Sequence, residues 1–458
     1  MVKLVNGPVS MPGSGLLRPF PVLVAFLVLT FLTGGSSWGH EAQLIILRPV
    51  ALLVAAFGLA SMSVDQFREH RVLWVLLGLV VGLTALHLVP LPYAWWSQLP
   101  GRQILIDGDA AVGFDRIFRP LSMQPEATTN ALYSLAVPLA VLSLGVQLSN
   151  DEQRRVAGVL LVGIMASALV GLLQLSGSLI SFYEAVSAPR PSGLFNNRNH
   201  QGAMLAMAFP LAVLAWNGGY RLGLPKNLER ITAGALAVLV LPLSVVTGSR
   251  AGLILCSVAL VLAFAELPLG TATKHVRLIR ALKAGVVAVF FAGLGWLTVA
   301  AGRGGAIDRL TAGDDGELRY PVWQSIMDMI PAYWPWGTGI GTYADAYALL
   351  EPDALLRPTF SNHAHNDYLE IAFTAGVPGL LILTGAILAV SLWGLRAIRV
   401  GRRDGALQRT GLVITVILAL ASLGDYPVRT PIMMAVLVIA TIWLSRVPQG
   451  SPVERSVN

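Results

Sequence analysis

The sequence predicts an all-α, polytopic membrane protein, and three observations carry that prediction. Of 458 residues, 55% are hydrophobic and only 12% are charged, against about a quarter charged in a soluble domain. The apolar residues gather into about twelve runs, each near the ~20 residues that a bilayer-crossing helix needs. Lys and Arg fall between those runs with a bias to one side, which is the signature of a fixed orientation. This composition excludes an ordinary soluble enzyme. The 46 Gly and 27 Pro carry no period, which excludes a collagen-like chain. The single Cys, Cys256, allows no internal disulfide and reads as core filler.

Spans are expected at 17–34, 42–61, 72–91, 129–148, 156–175, 200–216, 231–248, 252–268, 284–301, 371–393, 410–424 and 431–446. The first reads as a retained helix, because it is long enough to span and lacks a small-residue cleavage site. The seventh and eighth are divided only by "TGSRAG". With the N-terminus inside, twenty of the 32 Lys and Arg lie on the inner side, including all four Lys. Eleven lie outside, and Arg48 sits within the second span, where it either snorkels or lines a polar cavity. Seventeen of the 25 acids are outside, and an even number of spans returns the C-terminus inside. The net charge of +7 is therefore a topology signal, and no basic face typical of nucleic-acid binding accompanies it.

Three outer connections are long, 92–128, 176–199 and 302–370, whereas the inner ones are short and basic. The chain divides into an N-terminal region 1–183 with five spans and loop 92–128, a region 184–446 with loop 302–370, and a short inner tail 447–458. Chemistry is expected on the outer side, where ATP and nucleotide sugars are absent and a substrate must arrive already activated. In the large loop, "ELRYPVWQSIMDMIPAYWP" reads as an amphipathic helix with Val322, Ile326, Met329 and Ile330 at helical spacing, ended by Pro331 and Pro335. Trp323, Tyr333, Trp334 and Trp336 suit a bilayer surface. "GTGIGTY" then reads as a Gly-rich turn without the strand or the Lys of a nucleotide loop.

His363 and His365 stand together where this loop enters the tenth span. Neutral imidazole suits a general base for a sugar hydroxyl. The other readings are half a metal site with Asp367, or caps of the tenth helix. Arg190 and Arg198 flank "RPSGLFNNRNHQG", Arg250 lies in "TGSRAG", and Arg319 starts the amphipathic helix. Guanidinium groups bind phosphate bidentately, so these four on the side of His365 look like a pyrophosphate cradle. Asp107 and Asp109 form a DxD-like "IDGD" with no nucleotide fold around it, and Asp314–Asp315 reads as a solvated turn. Asp367 and Glu370 either orient His365, bind sugar hydroxyls, or sit where a helix N-terminus favours acids.

"HNDYLEIAFTAGVPG", with His365, Asn366, Gly376 and Gly379, resembles the signature of the O-antigen ligase and polymerase superfamily. "RPSGLFNNRNHQGA", "TGSRAG" and "LRYPVW…GTGIGTY" are similar to the same family, in its order, so the resemblance covers roughly residues 185–445. It implies a glycosyltransferase C-like fold and a metal-independent enzyme of the bacterial inner membrane without a cofactor, both termini cytoplasmic and the active site periplasmic. It implies a donor glycan on undecaprenyl pyrophosphate and a lipid A-core or other saccharide hydroxyl as acceptor. In that picture His365 deprotonates the acceptor, while Arg319, Arg250 and Arg190 hold the pyrophosphate; Arg198, Asn199, His363, Asn366 and Asp367 are expected to bind substrate. The "HAH" doublet and the Arg198 of "NNRN" depart from the usual pattern. The alternative acceptor is a second carrier-linked repeat unit, which makes a polymerase. A twelve-span transporter or flippase would instead place charges near the midplane and show similar halves.

Overall fold

The structure, a computed structural model, describes residues 18–39, 41–114, 116–175, 182–183, 191–217, 225–267, 316–356, 361–400 and 404–446. Its helices are α1 Pro19–Thr33, α2 Leu44–Ser61, α3 Val64–Glu69, α4 Arg71–Leu86, α5 Tyr93–Trp96, α6 Gln103–Ala111, α7 Pro125–Ser134, α8 Ala136–Gly145 and α9 Asn150–Leu175. They continue with α10 Arg198–Ala206, α11 Ala208–Trp216, α12 Lys226–Val246, α13 Arg250–Glu266, α14 Gly316–Tyr333, α15 Tyr343–Ala348, α16 Asp367–Arg399, α17 Ala406–Ala421 and α18 Pro431–Ser445. Two strands of two residues, β1 Pro90–Leu91 and β2 Arg119–Pro120, pair antiparallel and close the base of the first outer loop.

Helices cover eleven of the twelve expected spans, and the ninth, 284–301, lies outside the described residues. Four segments are long and apolar enough to cross a membrane: Leu44–Ser61, Pro125–Gly145, Asn150–Leu175 and Asp367–Arg399. Five more, among them Pro19–Thr33 and Pro431–Ser445, are apolar but shorter. Length and apolarity alone therefore do not reach the expected count of twelve among the described residues. One boundary also moves: α14 continues through Pro331 to Tyr333. A proline so near a helix end forfeits one backbone hydrogen bond and leaves little helix beyond it to disturb.

A large apolar core is shared by α1, α2, α8–α13, α17 and α18, with Cys256 fully buried in it. A second, smaller core stands beyond the end of this bundle, built from Ile326, Tyr333, Tyr343, Tyr347, Ala364 and Phe373 among others. It packs side chains of the connections 92–128 and 302–370 against the start of α16. The Gly-rich turn locks them together: Met123 N–H donates to Thr338 O at 2.8 Å, and Gly339 N–H donates to Thr374 O at 2.8 Å. Gly337, Gly339 and Gly341 all have positive φ, and a Cβ on any of them would lie within 2.7 Å of a neighbour. Only glycine lets the chain thread between the first outer loop and α16.

Two further close approaches carry the site. Gly202 of α10 and Gly252 of α13 cross so tightly that a Cβ on Gly202 would meet Gly252 Cα at 2.6 Å. That contact brings the starts of α10 and α13 side by side. In α16 the helix breaks at Gly376 (φ 55°, ψ −147°), where Val377 N–H donates to Pro335 O at 2.9 Å. The break leaves the first three turns of α16 packed on the outer core while the remainder continues into the bundle.

Candidate active site

Asp425, in the short link between α17 and α18, is the hub on which the separated motifs converge. It is 3% exposed. Its Oδ1 lies 3.4 Å from His365 Nδ1 and 3.5 Å from His200 Nε2, and it accepts the Tyr426 N–H at 3.0 Å. Its Oδ2 accepts a hydrogen bond from Asn199 Nδ2 at 2.6 Å and lies 3.6 Å from Arg319 Nη2. Asn197 Nδ2 approaches both oxygens, at 3.3 and 3.4 Å. Burial alone would push this carboxyl up, but the two imidazoles on Oδ1 outweigh it and hold Asp425 well below the usual carboxylate range. The hub is thus a fixed negative charge.

His365 itself has φ 49°, a left-handed conformation uncommon for a residue with a Cβ. Such strain persists only where the surroundings over-determine it, and here they do. The preceding Ala364 is buried in the outer core, its carbonyl accepts the Trp323 Nε1–H at 2.8 Å, and its N–H donates to Glu370 at 3.0 Å. On the other side Asn366 caps α16 by accepting the Leu369 N–H at 3.1 Å, and Asp367 N–H donates to Ser422 O at 2.9 Å. The cap of this helix is therefore Asn366, and neither histidine serves as one. The His365 side chain remains 32% exposed.

His363 belongs to a second network. Its Nδ1 donates to Glu370 Oε1 at 3.1 Å, and Arg429 bridges Glu370 (3.2 Å from Nη1) and Asp367 (2.9 Å from Nε). The two histidines thus face different carboxylates, which argues against the shared metal site considered from sequence. Between the networks stands the Tyr426 ring, with the rings of His363, His365 and His200 at centroid distances of 4.2, 4.9 and 5.0 Å.

The remaining sequence motifs join from the α10 and α13 ends. Ser249 caps α13 by accepting the Gly252 N–H at 2.9 Å and donates to Asn199 Oδ1 at 2.7 Å. This bonds the "TGSRAG" turn to the "NNRNHQG" turn. It places exposed Arg250 next in chain to Ser249, and a Cβ on Gly248 would lie 3.8 Å from Arg198 Nη1. The structure therefore unites Arg319, His365 and Asn199 on one carboxylate, with Arg250 and Arg198 on the adjoining turn. Asn366 is occupied as a helix cap and Asp367 by Arg429, while Arg190 lies outside the described residues.

Arg102, Arg119 and Arg48 also have partners within the fold. Arg102 is buried and donates to Leu121 O and Gly337 O at 2.7 and 3.3 Å; burial lowers its pKa to about 10. Arg119 Nε donates to Asp109 Oδ2 at 2.6 Å, and Asp107 accepts Gln103 Nε2 at 2.7 Å, so both acids of "IDGD" are engaged. Arg48 Nη2 donates to Asn130 Oδ1 at 2.5 Å, which favours the polar-lining reading over snorkelling. Sequence reasoning did not single out Asp425, His200, Asn197, Tyr426 or Arg429 as site residues. The available signal was "GDYPVR", a charged stretch between two apolar runs.

Residues 233–384 match a family model described as O-antigen ligase. This segment is an O-antigen ligase family domain. No curated protein matches the chain. The match supports a glycan-transferring enzyme of ligase or polymerase type, and four described helices are long and apolar enough to cross a membrane. Arg250, Arg319, His363 and His365 fall within the ligase-family segment, whereas Asn199, His200 and Asp425 lie on either side of it. The site is completed from both flanks.

Proposed function

We propose that this protein transfers a glycan from a polyprenyl pyrophosphate carrier, undecaprenyl pyrophosphate, to a saccharide hydroxyl at the outer face of the bacterial inner membrane. The acceptor in the favoured reading is the lipid A-core. The observation that carries the proposal is the Asp425 hub: one carboxylate holds a base candidate, His365, and an arginine, Arg319, side by side. Asp425 orients the His365 Nδ1 edge, which leaves Nε2 to take the proton of the attacking hydroxyl. As the hydroxyl oxygen bonds to the anomeric carbon, the carbon–oxygen bond to the pyrophosphate breaks and negative charge grows on the leaving phosphate. Arg319, with Arg250, Arg198 and Arg190, stabilises that charge, and such preorganised groups typically contribute about 100- to 1000-fold each. Nothing in this scheme calls for a metal, and the Arg119 guanidinium seated on Asp109 disfavours a divalent cation there.

The test is the lipopolysaccharide ladder of a deletion strain complemented with the wild type or with His365→Ala. Bare core with carrier-linked polymer accumulating, restored by the wild type and not by His365→Ala, is the expected result. Core bearing a single repeat would assign the enzyme as a polymerase acting on a second carrier-linked unit. Full restoration by His365→Ala would overturn the base assignment.

A further inference from the structure

We propose that His363, held by Glu370 and Arg429, is a substrate-binding group that accepts a hydrogen bond from a sugar hydroxyl beside the one that reacts. This rests on the glycosyl-transfer reading above and assigns the second imidazole a role distinct from the first. The argument starts at Glu370, which is 1% exposed and takes three donors: His363 Nδ1 at 3.1 Å, the Ala364 N–H at 3.0 Å and Arg429 Nη1 at 3.2 Å. An ionised carboxylate only accepts, so Nδ1 of the His363 ring carries a proton. In the neutral imidazole Nε2 is then left with a lone pair. It is the one polar atom of the ring still able to meet a ligand, and the side chain keeps 15% of its surface exposed.

A lone pair selects its ligand by chemistry. It repels the oxygens of a phosphate and welcomes the O–H of a sugar, so His363 belongs to the saccharide part of the site. The same reasoning removes Arg429 from the pyrophosphate clamp, because Asp367 and Glu370 already occupy its guanidinium. Position agrees: the His363 and His365 rings both pack on Tyr426, so a hydroxyl on one imidazole has its neighbour near the other. Glu370 and Arg429 are positioning residues, which act only by fixing which ring nitrogen faces the sugar.

The experiment has two arms on the full-length, detergent-solubilised protein. In the first, 15N-histidine spectra at pH 8, assigned with His363→Gln, are expected to show the proton of His363 on Nδ1. A proton on Nε2 would overturn the proposal whether or not the protein transfers glycan. In the second, initial rates are measured with extracted carrier-linked glycan and lipid A-core. His363→Phe keeps a ring but no acceptor, and the acceptor KM is expected to rise about 5- to 50-fold with kcat within about 3-fold, the scale of one unpaired hydroxyl. His363→Gln, whose amide oxygen can still accept, is expected to fall between the two. Glu370→Gln lets the proton move to Nε2 and should resemble His363→Phe. An unchanged acceptor KM, or a kcat loss with KM unchanged, would overturn the role. Absence of transfer by the wild type would sink the functional reading, and the spectra would still decide the orientation of His363.

Discussion

His365 Nδ1 and Asp425 Oδ1 lie 3.4 Å apart although 60 residues separate them in the chain, and the imidazole is not aligned for a full hydrogen bond. The same oxygen faces His200 at 3.5 Å. His365 therefore shares its carboxylate with a buried competitor, and the contact is one that substrate binding can tighten. A base held this way depends on Asp425 for its orientation.

Asp425→Asn is expected to lower kcat on the order of 100-fold or more while leaving the protein in the membrane. The amide keeps the shape but offers a donor where His365 needs an acceptor, which favours the wrong tautomer. Steady-state kinetics against both substrates check it, and wild-type kcat in the variant would remove Asp425 from the mechanism.

The same carboxylate predicts a pH dependence of stability. Its folded pKa is depressed, so its stabilisation is fully present above the unfolded-state value of about 3.9 and is lost only as pH falls through the folded value below it. The Tm difference between wild type and Asp425→Asn should narrow as pH falls below about 4. A difference that stayed unchanged down to about pH 2 would remove Asp425 from the acid-sensitive groups.

The membrane class, the helical segments and most of the arginine and histidine candidates were legible in sequence because each leaves a local trace: an apolar run, a charge at its rim, a motif. Asp425 left only a faint one, the charged stretch "GDYPVR", since a single acid between α17 and α18 looks like any other loop charge. Its meaning depends on a close helix crossing at Gly202 and Gly252 and on the seating of Ala364, both long-range facts. Arg429 was no more legible. By position it joins the outer cations, but two buried carboxylates consume it. The number of spans was hardest to read, because several helices are shorter than a bilayer is thick.

Gly376→Ala should abolish folded protein or reduce it to traces. Its backbone lies in a region nearly closed to other residues, costing about 1–3 kcal/mol, and the new Cβ would stand 2.1 Å from Pro335 O. Gly385→Ala in the same helix meets nothing within 4 Å and should be neutral or stabilising. Fluorescence-detected size-exclusion profiles of the pair separate a conformational demand from general sensitivity of α16.

The two kinds of outer arginine should part in one experiment. Arg429→Ala strands Asp367 and Glu370, which are 8% and 1% exposed. Removing one partner of a buried ion pair costs on the order of 3 kcal/mol, so the expected result is a lower Tm and reduced yield. Arg250 is exposed at the first residue of α13, and Arg250→Ala should leave Tm within a few degrees while transfer falls about 100-fold. Arg250→Lys should recover only part of that, because an ammonium keeps the charge but not the two-pronged grip on phosphate. Thermal unfolding and rates on the same preparations read both effects. A large Tm drop for Arg250→Ala with normal transfer per folded molecule would move Arg250 from the anion clamp to the scaffold.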